Sequence, residues 1–220
     1  MVKRVLIYIV GIFILALGLV LNTKAGLGVS PILSVPYSLS YIITSLSFGT
    51  WTTIIYVVFI VIELLLLRKA DVKVLLQLPF SYAFGLIIDL YNKFITFHSD
   101  ALWINIPVLL VAICLTALGA FLMVQMDLIT NPGDGIVNAF AQTLNWPFGK
   151  TKLTNDFVMI LITGTMTMLC LGHFFGIGIG TVIAAFCTGM VINVYDKHFG
   201  RVLANIVLKS RHVAEFDEGE

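Results

Sequence analysis

Long apolar runs separated by short polar breaks fill most of the chain. Six of them, residues 5–21, 51–67, 75–94, 102–124, 153–171 and 174–194, approach the ~20 residues that a helix needs to cross a bilayer core. Two shorter apolar segments, residues 31–48 and 133–144, follow the first and fourth runs and are too short to cross comfortably. The pattern predicts an all-α, polytopic membrane protein with six transmembrane helices and two short re-entrant helices. Composition agrees. Hydrophobic residues make up 59% and charged residues 11%, against about 25% charged in a soluble domain, and the mean hydropathy is +1.02.

The pattern also repeats, at an offset of about 101 residues. Ala16-Leu17-Gly18 recurs as Ala117-Leu118-Gly119, and Ser30-Pro31 as Asn131-Pro132. Phe48-Gly49 recurs as Phe148-Gly149, Tyr56 as Phe157, and Gly85, Ile88, Tyr91 and Lys93 as Gly189, Ile192, Tyr195 and Lys197, with Asp89 facing Asn193. A duplicated hydrophobic unit is a common plan for secondary transporters and pores. The units are residues 1–98 and 99–200, and residues 201–220 form a cytoplasmic tail, read as a short amphipathic helix with an acidic end.

Basic residues set the orientation, because Lys and Arg stay on the cytoplasmic side. With six spans and both termini inside, only Lys24 and Lys93 fall outside, and the other eleven of the thirteen, among them Arg4, Lys69, Lys150 and Lys152, fall inside. If the short segments also spanned, Arg68, Lys69 and Lys73 would move out. Three spans per unit make the halves face opposite ways, as an inverted repeat about an axis in the membrane plane. The first run is followed by more membrane and serves the repeat, so it is not a cleaved leader.

The short segments carry the candidate chemistry. Each opens on a capping residue and a proline, Ser30-Pro31 and Asn131-Pro132, which suits a helix start. Gly26 and Gly28 precede the first, and Gly133 and Gly135 open the second, allowing a solute to approach backbone. Free N–H groups at such starts attract anions or carbonyl oxygens. A solute site at the midplane would draw on Gly26, Gly28, Ser30, Asn131, Gly133 and Asp134, with Tyr37, Asn138 and Gln142 from the bodies of the short helices. Asp134 and Asp89 are the candidates for proton or ion coupling, since an ionisable group within a span usually faces a bundle interior.

Other polar residues have simpler readings. Glu63, one turn from Arg68, is expected to snorkel to the inner surface. Asp127 lies at a span end. Cys114, Cys170 and Cys187 fall inside apolar runs and read as small packing residues, without a disulfide or metal. Gly11 and Gly18, Ala117 with Gly119, and Gly176-Ile-Gly-Ile-Gly180 favour close helix contact. No HExxH, GxSxG or Walker motif is present, so neither an enzyme nor an ATP-driven pump is expected. No cofactor and no nucleic-acid partner are expected either.

At Ala25-Gly-Leu-Gly-Val-Ser-Pro31 and Asn131-Pro-Gly-Asp-Gly135 the chain resembles the bacterial YczE/YyaS/YitT family of membrane proteins, over most of the six-span region. In that family an acidic residue often follows the first Ser-Pro. Ile32, Leu33 and Ser34 stand there in this chain, which leaves Asp134 without a symmetric partner. The resemblance implies a multi-pass protein of the bacterial inner membrane.

The expected function is secondary transport of a small organic solute by a lipid-embedded protein, with a homo-oligomer left open. A small-solute channel and a non-transporting accessory protein are the alternatives. The half-helix here follows the first span of each repeat, whereas in the familiar water channels it follows the second.

Overall fold

The computed structural model describes residues 2–68 and 71–217, with side chains described through residue 204. Lys69, the tail side chains beyond residue 204 and the last three residues of its acidic end lie outside the described residues. The regular structure among the described residues is helical: α1 (Val2–Lys24), α2 (Pro31–Ile42), α3 (Phe48–Leu67), α4 (Val72–Leu75), α5 (Gln77–Phe94), α6 (Leu102–Met126), α7 (Pro132–Leu144), α8 (Phe148–Leu171) and α9 (Ile179–Asp217). Among the described residues, six helical stretches are long and apolar enough to cross a membrane: α1, α3, α4 with α5, α6, α8 and the first part of α9. Between them stand the two short proline-headed helices, α2 and α7. The outer faces suit lipid, with large apolar side chains such as Leu65, Trp103 and Leu169 exposed.

The centre of the bundle is the contact between α1 and α6. Glycine makes it close. A Cβ on Gly18 would stand 2.6 Å from Thr116 Oγ1 and closer still to its backbone nitrogen, and one on Gly119 would stand 2.6 Å from Leu15 Cα. In lipid there is no hydrophobic drive between helices, so backbone approach of this kind supplies the packing energy. Around this pair, α2 packs on α8 and α3, and α7 packs on α3 and α8. Two side chains of α1 fix the segment that leads into α7. Arg4, buried, donates to the carbonyl of Met126 at 2.6 Å, and the Tyr8 hydroxyl donates to the carbonyl of Ile129 at 2.8 Å.

Several elements differ from the sequence expectation. The last span begins at Ile179 rather than at residue 174, because residues 174–178 are drawn into backbone pairing with the end of the first loop. Val29 N–H donates to Gly176 O at 2.9 Å and Gly180 N–H to Leu27 O at 2.7 Å. Gly28, at φ +106, lies directly on Gly178 and Thr181, where no side chain fits. The tail does not form a separate short helix: α9 continues unbroken for 39 residues, about 58 Å at 1.5 Å per residue. The fifth span begins at Phe148, five residues early, and so takes Lys150 and Lys152 into its first turns. Cys114 and Cys170 are exposed on the outside of the bundle instead of packed within it.

Candidate functional site

The start of α7 meets the start of α2. A Cβ on Gly133 would stand 2.8 Å from Cγ1 of Ile32, so these helix ends touch with nothing larger than hydrogen between them. Beside the contact is an inner cavity of about 50 Å³, walled by Ser30, Pro31, Asn131, Gly133, Asp134, Lys152 and Asp156, with Thr116 and Thr188. It adjoins a vestibule of about 730 Å³, and the two share Leu15, Ala120, Asn131, Asp134, Lys152 and Ile192 in their walls. The outer part of the vestibule is formed by the end of α6, the 127–130 segment, Phe148, Asn193 and Asp196.

Local chemistry explains the start of α7. The Asn131 side-chain oxygen accepts from Gly133 N–H at 3.1 Å, while its carbonyl accepts from Asp134 N–H at 2.9 Å and Gly135 N–H at 2.8 Å. This is the expected asparagine cap. It leaves the Asp134 carboxylate, half-buried, facing the cavities rather than tied to its own helix. The start of α2 differs. Ser30 occupies the cap position with extended backbone, but its side chain makes no cap bond, so the expected serine cap is absent and the hydroxyl is left on the cavity wall.

The other sequence candidates are dispersed. Asn138, exposed, lines the vestibule. Gln142 is exposed and lies on neither wall. Tyr37 stacks on Phe175 at 5.5 Å and meets Phe48 edge-on at 5.4 Å, away from both cavities. Gly26, at φ +66, has Asn105 as its nearest neighbour, and Gly28 sits in the backbone pairing described above. Asp89 caps α3: it accepts from Gly49 N–H at 2.7 Å and from the Ser47 hydroxyl. An acid suits that position at a helix start, and it stands on neither cavity wall.

Residues 2–197 match a family described as a family of unknown function, DUF6198. The chain belongs to DUF6198. This DUF6198 chain is similar to the uncharacterized protein YyaS of Bacillus subtilis (strain 168), 27% identical over 198 residues that cover 87% of this chain and 94% of that protein. The YyaS-like resemblance seen in the Ser-Pro and Pro-Gly-Asp-Gly segments therefore extends over nearly the whole chain. No solved structure matches it.

Two polar groups of the DUF6198 chain escaped the sequence reading, and Glu63 departs from it. Asp156, 3% exposed, stands on the wall of the inner cavity, and Lys152 Nζ lies 3.8 Å from its Oδ2. The signal is a Lys and an Asp four apart, a spacing that puts both on one helix face, but the apolar run that marks the fifth span starts only at residue 153. Tyr56 is fully buried on α3, near Asn131 and Asp134. Glu63 is not at the surface. It is 5% exposed and accepts from Gln77 Nε2 at 3.1 Å, with Gly135 of α7 against it. Snorkelling fails because α5 and α7 cover this side of α3, and Gln77 supplies the hydrogen bond that the carboxylate would otherwise take from water.

Proposed function

We propose that this protein is a secondary transporter of a small organic solute, built as an inverted repeat, with its site where the two re-entrant half-helices meet. One observation carries the reading: Ile32 and Gly133, which are equivalent positions in the repeat, are in contact beside a polar cavity. Only residues near the axis of a two-fold repeat meet their own equivalents. Other contacts exchange in the same way. Gly18 on Thr116 and Gly119 on Leu15 are one contact seen from each half, as are α2 on α8 and α7 on α3. Half-helices that begin at the midplane of an inverted repeat form the binding sites of many transporters.

The cavities support an alternating mechanism over an open pore. The vestibule opens at the end of the bundle that carries Lys73, Lys150 and Asp127, where Lys73 Nζ pairs with Asp127 at 2.9 Å. Basic residues assign that end to the cytoplasm. The opposite end is closed by the pairing of residues 27–29 with 176–180. The protein is thus in an inward-open form, and rocking of one repeat against the other would expose the site outward.

Two measurements test the reading. In a background without native cysteines, Lys150→Cys is expected to react with an impermeant maleimide only from the cytoplasmic side and His98→Cys only from outside; the reverse result would overturn the inverted orientation. In liposomes, saturable uptake with counterflow is expected. Linear flux would mean a channel, and no flux with any of a broad panel of solutes would mean an accessory protein.

A further inference from the structure

The inner cavity has a definite chemical bias. Asp156 is almost fully buried, its Oδ2 is too far from Lys152 for a hydrogen bond, and its Oδ1 has no hydrogen-bond partner at all. A buried carboxylate short of donors is costly, and the Asp156 side chain stands on the wall of a cavity, where a ligand could supply one. Asp134 is on the same wall and close enough to act on Asp156 electrostatically. Two carboxylates against one ammonium leave a net negative charge.

The usual source of anion affinity is spent at α7 and only partly taken at α2, where Ser30 makes no cap bond. At the start of α7 the N–H groups of Gly133, Asp134 and Gly135 all donate to Asn131, and at the start of α2 the N–H of Leu33 donates to Ser30 O. No group of three or more His, Cys, Asp or Glu side chains gathers among the described residues to hold a metal ion. The volume of about 50 Å³ admits a few water-sized groups, enough for a head group but not for a large ring.

We propose that the inner cavity binds the protonated amino group of a small amine, whose N–H groups donate to the carboxylates of Asp156 and Asp134 while the rest of the solute extends into the vestibule. This deepens the transport reading and rests on it for the solute's path, but binding is measured separately. Purified protein in detergent is titrated by calorimetry with methylammonium chloride, tetramethylammonium chloride and sodium acetate, against sodium chloride as the ionic-strength control. Methylammonium is expected to bind saturably. Tetramethylammonium, with the same charge and no N–H, is expected to bind at least tenfold more weakly, and acetate not at all. Asp156→Asn is expected to weaken methylammonium at least tenfold.

Equal binding of the two cations, binding of acetate alone, or wild-type affinity in Asp156→Asn would each overturn the proposal. The comparison of the two cations needs only the wild-type protein, so a variant that failed to fold would not remove the test. Saturable uptake of a solute without an amino group, with no methylammonium binding, would overturn the amine and leave the transporter. Methylammonium binding with no flux of any solute would overturn the transporter and leave the site.

Discussion

Gly18→Ala is expected to be among the most damaging single-atom additions in the molecule. The new methyl would fall on the backbone nitrogen and hydroxyl of Thr116 and within 2.9 Å of the Ala112 carbonyl oxygen. The nitrogen and the carbonyl oxygen are backbone atoms of a helix and cannot swing aside as a side-chain tip would. The helices must separate, and in lipid they have no hydrophobic drive to re-form the contact. Overpacking costs about 1–3 kcal/mol even where side chains can adjust, which for a chain of this size is roughly 2–12 °C in melting temperature. Gly119→Ala should behave alike, because its methyl meets Leu15 in the equivalent way. Gly189→Ala is the control: nothing lies within 4 Å of its Cβ position, and a helical Gly→Ala change there should leave stability unchanged or raise it by about 0.5–1 kcal/mol. Melting curves of detergent-purified variants decide the matter. A Gly18→Ala protein that melts within a degree of wild type would show that the α1–α6 contact is looser than described.

Asp134→Asn is expected to lower solute uptake at least tenfold while leaving the melting temperature nearly unchanged. Asn131, not Asp134, satisfies the first N–H groups of α7, so the carboxylate is not needed as a cap. Its remaining structural contribution is the charge at a helix start, worth about 0.3–1 kcal/mol. In the cavity, by contrast, it is one of two carboxylates facing a single ammonium, and its loss would remove the net negative charge. Tenfold in rate or affinity corresponds to about 1.4 kcal/mol, more than the dipole contact supplies. A variant that keeps wild-type uptake but melts several degrees lower would assign Asp134 to the helix and remove it from the solute path.

The spans and the two short proline-headed helices were legible in the sequence because hydropathy and proline act locally. Pro31 and Pro132 lack an N–H and fix their backbone angle, so each begins a helix wherever the chain folds, and α2 and α7 start there. Asn131 and Asp134 were legible as neighbours on the cavity walls for the same reason: they are fixed to a helix start. Tyr37 and Gln142 were not, since their positions along the helix say nothing of which neighbour each face meets. Tyr37 turns toward Phe48 and Phe175, which are distant in the chain. Asp156 lies inside the fifth apolar run, but what it faces depends on elements distant in the chain. Residues 148–152 are too polar to join an apolar run, yet they form the first turns of α8, and the cavity they face is assembled from α1, α2, α6, α7 and α9. Glu63 shows the same limit from the other side: its partner, Gln77, belongs to a different helix.

The pairing of residues 27–29 with 176–180 has a consequence for how the two sides of the membrane would sense the protein. Under the transport reading, two backbone hydrogen bonds, Val29 to Gly176 and Gly180 to Leu27, must break before the site faces outward. At about 0.5–1.5 kcal/mol net for each, they bias the resting population toward the inward form by roughly 5- to 150-fold. A solute arriving from outside then meets a competent site in only a small fraction of molecules, and its apparent affinity falls by that fraction. The same solute arriving from the cytoplasm pays no such tax. Half-saturation should therefore be reached at a lower concentration from inside than from outside, a sidedness that comes from backbone pairing at the closed end, while the contacts within the site stay the same.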